Sequence, residues 1–511
     1  MSQSSQPGWR SRWWAAAAVA VGFFASRLLY AGAGVRFDAT SLDWFWQYLE
    51  LSALRYRLGE SLLHLHSQPP VMNLVLGLVL KLAPGRESAV LAAVYLFLGL
   101  GLALGLYLLM LELGVRRWLA AGLAGLFAVS PACVLYENWL FYSYPVAVGL
   151  VFAALFWARY MRTSRTRDAF GMFALSGLVA LTWSLFHLVW LGGLFAAALL
   201  LRPRLRRKTL VAAVIPLLVV TGWYAKNLAR FGQFSASTWG GMSFAKMTNG
   251  MLSPTERREL YQAGLITGVS LVPPFSDLQS YGQIAERVQR TGIPVLDEPA
   301  KPSGVPNYNH LAYIEISRRV GEDAWRILRA KPTAYLRGLA ESWLIFFLPT
   351  DGYVFLARNR ERIRGLVNFA NAVLGRLSRQ DDLGLRHTDP ARYCRDGLLN
   401  CQLWVILAYF GLFGAGLAWV FGRGRRREPD AGSGLAFVWL TVGFGALAGN
   451  ALEVGENSRF RLVLDPLVLS AFAVPVEVFL RRITRKTEVA QRPGRSDAGH
   501  HGRRGAGSRR A

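Results

Sequence analysis

Along most of the chain hydrophobic positions are not interleaved with polar ones at the period of an amphipathic helix or a strand. They gather instead in blocks of roughly 18 to 23 residues, the length that carries a helix across bilayer hydrocarbon. Such blocks lie at Trp13 to Gly34 and at about 88–110, 117–134, 143–161, 209–227, 401–421, 434–453 and 460–480. Phe170 to Leu201 is long enough for two shorter passes that turn near Ser184 to His187. The pattern predicts an all-α polytopic membrane protein with about ten or eleven spans and no internal repeat. Two apolar stretches fit less well. Val71 to Leu82 is too short to cross, and is expected at an interface or partway in. Pro332 to Pro349 is expected along the same surface or re-entering it.

Charge then orients the blocks. The 511-residue chain carries a formal net charge of +26, which in a soluble protein would point to nucleic acid. Here the cations sit in short clusters between apolar blocks: Arg116 and Arg117; Arg159, Arg162, Arg165 and Arg167; "RPRLRRK" from Arg202; Arg423 with Arg425 to Arg427; and "RRITRK" from Arg481. Such clusters face the cytoplasm, so nucleic acid is not expected as a partner. The Gly-rich basic segment 481–511 reads as a disordered cytoplasmic tail able to touch anionic lipid, with His500 and His501 incidental. Extracytoplasmic by the same logic are residues 35–68 and the polar stretch 231–331, the one region long enough for a small subdomain between transmembrane modules 1–230 and 332–480. In that stretch "SPTE" from Ser253 is a capping box, and a helix from near Ser276 is expected to end at Gly292. Of three cysteines, Cys133, Cys394 and Cys401, the last two admit one disulfide or two free thiols.

Chemistry-bearing residues collect at the outer ends of the blocks. "RFDATSLDW" holds Asp38 and Asp43; Thr40-x-x-Asp43 matches a capping box, which leaves Asp38 the freer carboxylate. "HLHSQPP" holds His64, His66 and Gln68 before Pro69; one reading is capping by Ser67 or Gln68 with a histidine at the headgroups, the other a catalytic or donor-binding role for His66. "LYENW" supplies Glu137 and Asn138, and His187 closes the next outer turn. Lys226, Arg230, Arg459 and Arg461 run against the inside bias of basic residues, and several such cations on one face suit an anionic ligand such as a lipid phosphate. Glu453 and Glu456 are spaced to neutralise the neighbouring arginines.

The outward Asp after the first block, the histidine followed by "QPP", "SP…LYEN" and the late "ENSRFR…DPL" together resemble the integral-membrane glycosyltransferases of the GT-C class. The branch that contains the protein O-mannosyltransferases and the lipid A aminoarabinose transferase is the most similar. The resemblance implies inverting transfer of a sugar from a polyprenyl-phosphate carrier to an acceptor hydroxyl on a cell-envelope glycan, lipid or protein. It maps the general base onto Asp38. Arg459 and Arg461, helped by Lys226 or Arg230, would hold the donor phosphate, with His66, Gln68, Glu137, Asn138, His187 and Glu456 in support. One departure stands out: the mannosyltransferases carry an adjacent Asp-Glu pair, whereas Ala39 follows Asp38 here, so their protein acceptor does not carry over. The cofactor stays unknown, because a divalent metal suits such chemistry while no ligand spacing specifies one. The competing expectation is a transporter or flippase of a lipid-linked saccharide, which needs charges at the bilayer midplane and two accessible states.

Overall fold

The computed structural model describes residues 9–378, 397–422 and 429–490. The protein is an all-α polytopic membrane protein, with no strand among the described residues. Seven helices are long and apolar enough to cross a membrane. They are α1 (Trp9–Gly32), α2 (Glu87–Glu112), α3 (Ser143–Thr163), α4 (Arg206–Phe231), α5 (Leu403–Phe421), α6 (Pro429–Leu452) and α7 (Asn457–Ala490). The expected block at 117–134 is a bent pair, Arg117–Val129 and Pro131–Glu137, with a 59° break. Its cause is local: Pro131 forces Ser130 out of helical geometry (ψ 143°), and the Ser130 hydroxyl then caps the second helix by accepting from Cys133 N. Phe170 to Leu201 resolves into Thr166–Ala180 and Leu188–Leu201, of 15 and 14 residues. At roughly 22 Å each, both fall short of a full hydrocarbon layer.

Burial ranks the helices. In α3, 72% of the apolar window is enclosed against 17% in α5, which makes α3 the axis of the bundle and leaves α5 at its periphery. Around α3 pack α2, α6, α7 and Thr166–Ala180. The Trp157 indole at its centre donates to Ser433 O at 2.7 Å.

The two ends of the bundle differ. At one, Glu112 takes Arg159 at 3.3 Å and Arg162 at 2.5 Å. Glu477 there takes Arg116 at 2.9 Å and Arg481 at 2.5 Å, and Lys208 reaches Ser164 O. Cations from four separate inter-block clusters thus meet at this basic end. The expected disordered tail 481–511 is corrected at its start, where 481–490 continue α7 as helix; its remainder from Gln491 and the cluster at Arg423 and Arg425 to Arg427 lie outside the described residues, as does Cys394 of the considered disulfide.

At the opposite end the first loop, region 231–331 and Pro332–Phe347 pile up. Val71–Leu82 is a 12-residue helix, too short for a full hydrocarbon layer; it packs on Leu51–Tyr56, and buried Asn73 ties it to the first loop by accepting from Leu49 N at 2.8 Å. Pro332–Phe347 packs on α6, α7 and Ala312–Ala330. Region 231–331 is not closed on itself. Its apolar cluster of Trp239, Met242, Tyr308, Tyr313 and Ile316 continues through Ile345 and Val454, so its core is shared with the ends of the long helices. The capping box at Ser253 forms, with both reciprocal bonds to Glu256. The helix expected from Ser276 to Gly292 does not. Asp277 caps a single 3-10 turn, Leu278–Tyr281, and Gly282 at φ +48° breaks the chain before one helical turn at Gln283–Glu286.

Candidate functional site

Where the first loop, region 231–331 and the α6–α7 turn converge, they enclose a cavity of about 550 Å³. Its charged wall comes from the turn "EVGENSRFR". Gly455 at φ +115° reverses the chain, a conformation that costs a side-chain-bearing residue heavily. Fully buried Asn457 ties the corner by accepting from Gly455 N and donating to Asn450 Oδ1 and Glu453 O. The first turn of α7 then carries Arg459 and Arg461 two positions apart, about 200° around the helix, so they point opposite ways.

Arg459 faces the cavity while only 1% exposed. Five rings surround its guanidinium: Phe141 at 4.7 Å, Phe460 at 5.2 Å, Tyr142 and Trp183 at 5.3 Å and Tyr353 at 5.9 Å. One terminal nitrogen donates to Ser143 Oγ at 2.9 Å and the other to Glu456. Nε is buried without a hydrogen-bond partner. Glu456 also accepts from Tyr353 OH at 2.8 Å; burial pushes its carboxyl up, but Arg459 and Lys246 outweigh that and hold it below the usual range. Glu453 receives Lys246 of the helix Gly240–Met247, and there burial prevails and raises the carboxyl. Two cations and two carboxylates therefore alternate along this wall.

The remaining walls are aromatic and neutral polar: Trp46, Trp239, Phe275, the Gln47 and Gln68 amides, and serines 184, 235, 237 and 243. Gln47 Oε1 and Ser235 Oγ are buried and unpartnered. Gly241 and Gly321 form part of the lining at a crossing of their helices, where a methyl on Gly241 would lie 1.8 Å from Ser317 O.

Of the residues singled out in the sequence, Arg459, Glu453, Glu456, Gln68 and His187 line this cavity. His187 Nδ1 accepts from Val189 N, capping Leu188–Leu201. The others sit elsewhere, each for a visible reason. Arg461 turns away into a buried network, reaching Gln402 Oε1, Phe346 O at 3.2 Å and Asp465 at 3.4 Å. Lys226 donates to Leu65 O at 2.5 Å and lies 3.6 Å from the Trp223 ring centre, while exposed Arg230 meets His64 Nε2 at 3.0 Å. The donor-phosphate role given to these three cations is therefore corrected.

His66 has no donor-binding geometry. It is fully buried, with Nδ1 on Thr238 Oγ1 and Nε2 on Asn309 O, both at 2.8 Å, and fastens the first loop to region 231–331. Burial, aided by Lys226, lowers its pKa to about 3 and keeps it neutral. Glu137 is likewise withdrawn. Arg27 holds both its oxygens at 2.9 and 2.5 Å and Tyr144 OH donates at 3.0 Å, while Asn138 Nδ2 donates to Val134 O.

Asp38 lies beside the cavity rather than in its wall. Its backbone forms a bridge with Trp139, giving Asp38 N→Asn138 O at 2.8 Å and Leu140 N→Asp38 O at 3.0 Å. Its half-buried carboxylate is not idle, as the capping-box reading had it. Oδ1 accepts from Thr40 N at 2.9 Å and Thr40 Oγ1 at 2.6 Å, so Thr40 caps nothing. Among the described residues no hydrogen bond or ion pair engages Oδ2. Leu140, paired with Asp38, leads in three residues to Ser143, which holds Arg459; that is at most about 11 Å of backbone.

Sequence reading missed Lys246, Trp46 and Trp239. The signal for Lys246 was a lone cation in "GGMSFAKM", too common a pattern to single out before the fold placed it against Glu453. Among the described residues no three His, Cys, Asp or Glu side chains gather as a metal site. No family model matches the chain, and no curated protein or solved structure matches it either.

Proposed function

We propose that the protein is an inverting membrane glycosyltransferase that moves a sugar from a polyprenyl-phosphate carrier to an acceptor hydroxyl, with the cavity end extracytoplasmic and the basic end cytoplasmic. The observation that carries the reading is Arg459: a caged guanidinium, with one N–H group unused, in a cavity wall that also holds Lys246. A buried cation with an open donor suits an oxyanion that gains charge as the glycosidic bond breaks. Burial raises the Glu453 carboxyl, with Lys246 acting against it.

An apolar groove supports a lipid-linked donor. It holds about 490 Å³ between Leu188–Leu201, α5 and α6, and its α6 wall from Ala436 to Leu447, roughly 16 Å long, runs directly into the cavity residues Ala448, Gly449 and Leu452. A polyisoprenyl chain there would place its phosphate toward Arg459.

Asp38 is the general base in this reading. Thr40 orients one carboxylate oxygen, leaving the other to take the acceptor proton. The acceptor oxygen attacks the anomeric carbon, the carbon–oxygen bond to phosphate breaks, and polyprenyl phosphate leaves as an anion held by Arg459; a single displacement inverts the centre. The test is incubation of the purified full chain with radiolabelled polyprenyl-phosphate sugars of several kinds. Asp38→Asn should remain in the membrane and lose transfer at least about a hundredfold. Near-wild-type turnover would refute the assigned base.

A further inference from the structure

The cavity is chemically divided. Its formal charges, Lys246, Glu453, Glu456 and Arg459, all belong to the α6–α7 turn and the helix facing it. The wall built by the first loop, Phe234–Trp239 and Phe275 carries none. There Trp46 is stacked on Phe275 (ring centres 5.8 Å, 22° between planes) and tilted on Tyr308 at 5.0 Å, yet stays 42% exposed. Trp239 is fixed by its indole N–H to Tyr308 O at 3.1 Å. Beside these rings are polar atoms that no protein group satisfies, Gln47 Oε1 and Ser235 Oγ, and the buried residue Gln68 also lines the cavity.

Resting on the transferase reading, we infer that this half of the cavity binds a neutral saccharide unit of the acceptor. Fixed aromatic faces pack against the C–H face of a sugar ring. Amide and hydroxyl groups match sugar hydroxyls, which both donate and accept. An acyl chain would fill the space but leave these two polar atoms unsatisfied, a cost of about 1–3 kcal/mol each. An anionic headgroup finds no cation on this wall. The aromatic wall thus sets acceptor specificity, while Arg459 serves the donor.

The test uses the full chain in nanodiscs with a radiolabelled polyprenyl-phosphate sugar and, as acceptor, the neutral polysaccharide of the producing cell's envelope, freed of lipid and protein. Wild-type protein is expected to place label in this polysaccharide. Trp46→Ala and Gln68→Ala are expected to raise the acceptor KM at least tenfold while the donor KM stays within twofold. Gln68→Ala keeps the test decisive if Trp46→Ala does not fold. A raised donor KM with unchanged acceptor KM overturns the inference, because the wall then holds the donor's sugar. Label that enters only protein or only lipid from whole envelopes also overturns it, while leaving the transferase reading intact. No transfer from any donor to any envelope fraction brings down the transferase reading and the inference with it.

Discussion

At the basic end of the bundle two carboxylates, Glu112 and Glu477, are each shared by two arginines, and those arginines stay between 35 and 62% exposed. At the cavity end Arg459 is 1% exposed, wrapped in aromatic rings, and keeps an N–H group without an acceptor. Both regions hold cations and carboxylates within a few ångströms of one another. In the first, water and a partner satisfy every charge, so the pairs clasp helix ends at little cost or gain. In the second, Glu456 pairs Arg459 but water is withheld and one N–H group has no acceptor, which is tolerable only where a ligand arrives or where the fold over-determines the position. Similar residue types thus serve topology at one end and, in the proposed function, chemistry at the other.

The contrast can be broken in graded steps. The largest effect is expected at a third place, where a buried pair is complete: Arg27→Met strands Glu137 among α1, α2 and α3 and should cost about 3–5 kcal/mol in thermal unfolding of the solubilised protein. Arg27→Met with Glu137→Gln should recover most of that loss, and failure to recover would show that the pair does more than balance charge. Next comes Arg459→Lys, which keeps the charge but loses the planar fork and its fit between the rings. Transfer is expected to fall about a hundredfold, near 2.7 kcal/mol, with membrane abundance unchanged.

The buried histidine gives a smaller, pH-dependent effect. His66 has a folded-state pKa near 3 against 6.5 for the free side chain, so the unfolded chain binds a proton that the folded one refuses. Its contribution is present above pH 6.5 and is lost as pH falls from 6.5 toward 3, about 2 kcal/mol between pH 7 and pH 5. His66→Gln should flatten that slope in pH-dependent melting; an unchanged slope would place the acid sensitivity elsewhere. The smallest effect is expected for Glu112→Gln at the basic end, under about 1 kcal/mol with turnover unaltered.

Much of the architecture was legible because bilayer hydrocarbon imposes a length, and length is visible in one dimension. The break at Ser130-Pro131 and the capping box at Ser253 were also local matters, decided by a proline and by four consecutive residues. The site was legible only as a set of loops. "HLHSQPP" does reach the cavity, but Gln68 faces it while His66 is buried behind. In "ENSRFR" the two arginines look alike in sequence, yet helical geometry sends one to the cavity and the other into the Gln402–Asp465 network. Asp38 looked unoccupied because Thr40 matched a cap for Asp43; in the fold Thr40 turns back to Asp38 instead.

By itself, then, the sequence determined the helical class, the shortness of the apolar helix Val71–Leu82 and which polar segments share an end, since hydrophobic length and the clustering of cations act segment by segment. Only the tertiary structure decided which polar side chains are consumed: Glu137 by Arg27, Lys226 by Leu65, His66 by Thr238 and Asn309. It also left Arg459 Nε without an acceptor and placed Gln68 in the cavity lining. Hydrogen-bond satisfaction is a property of neighbours, and these partners lie from about 100 to more than 240 residues apart in the chain.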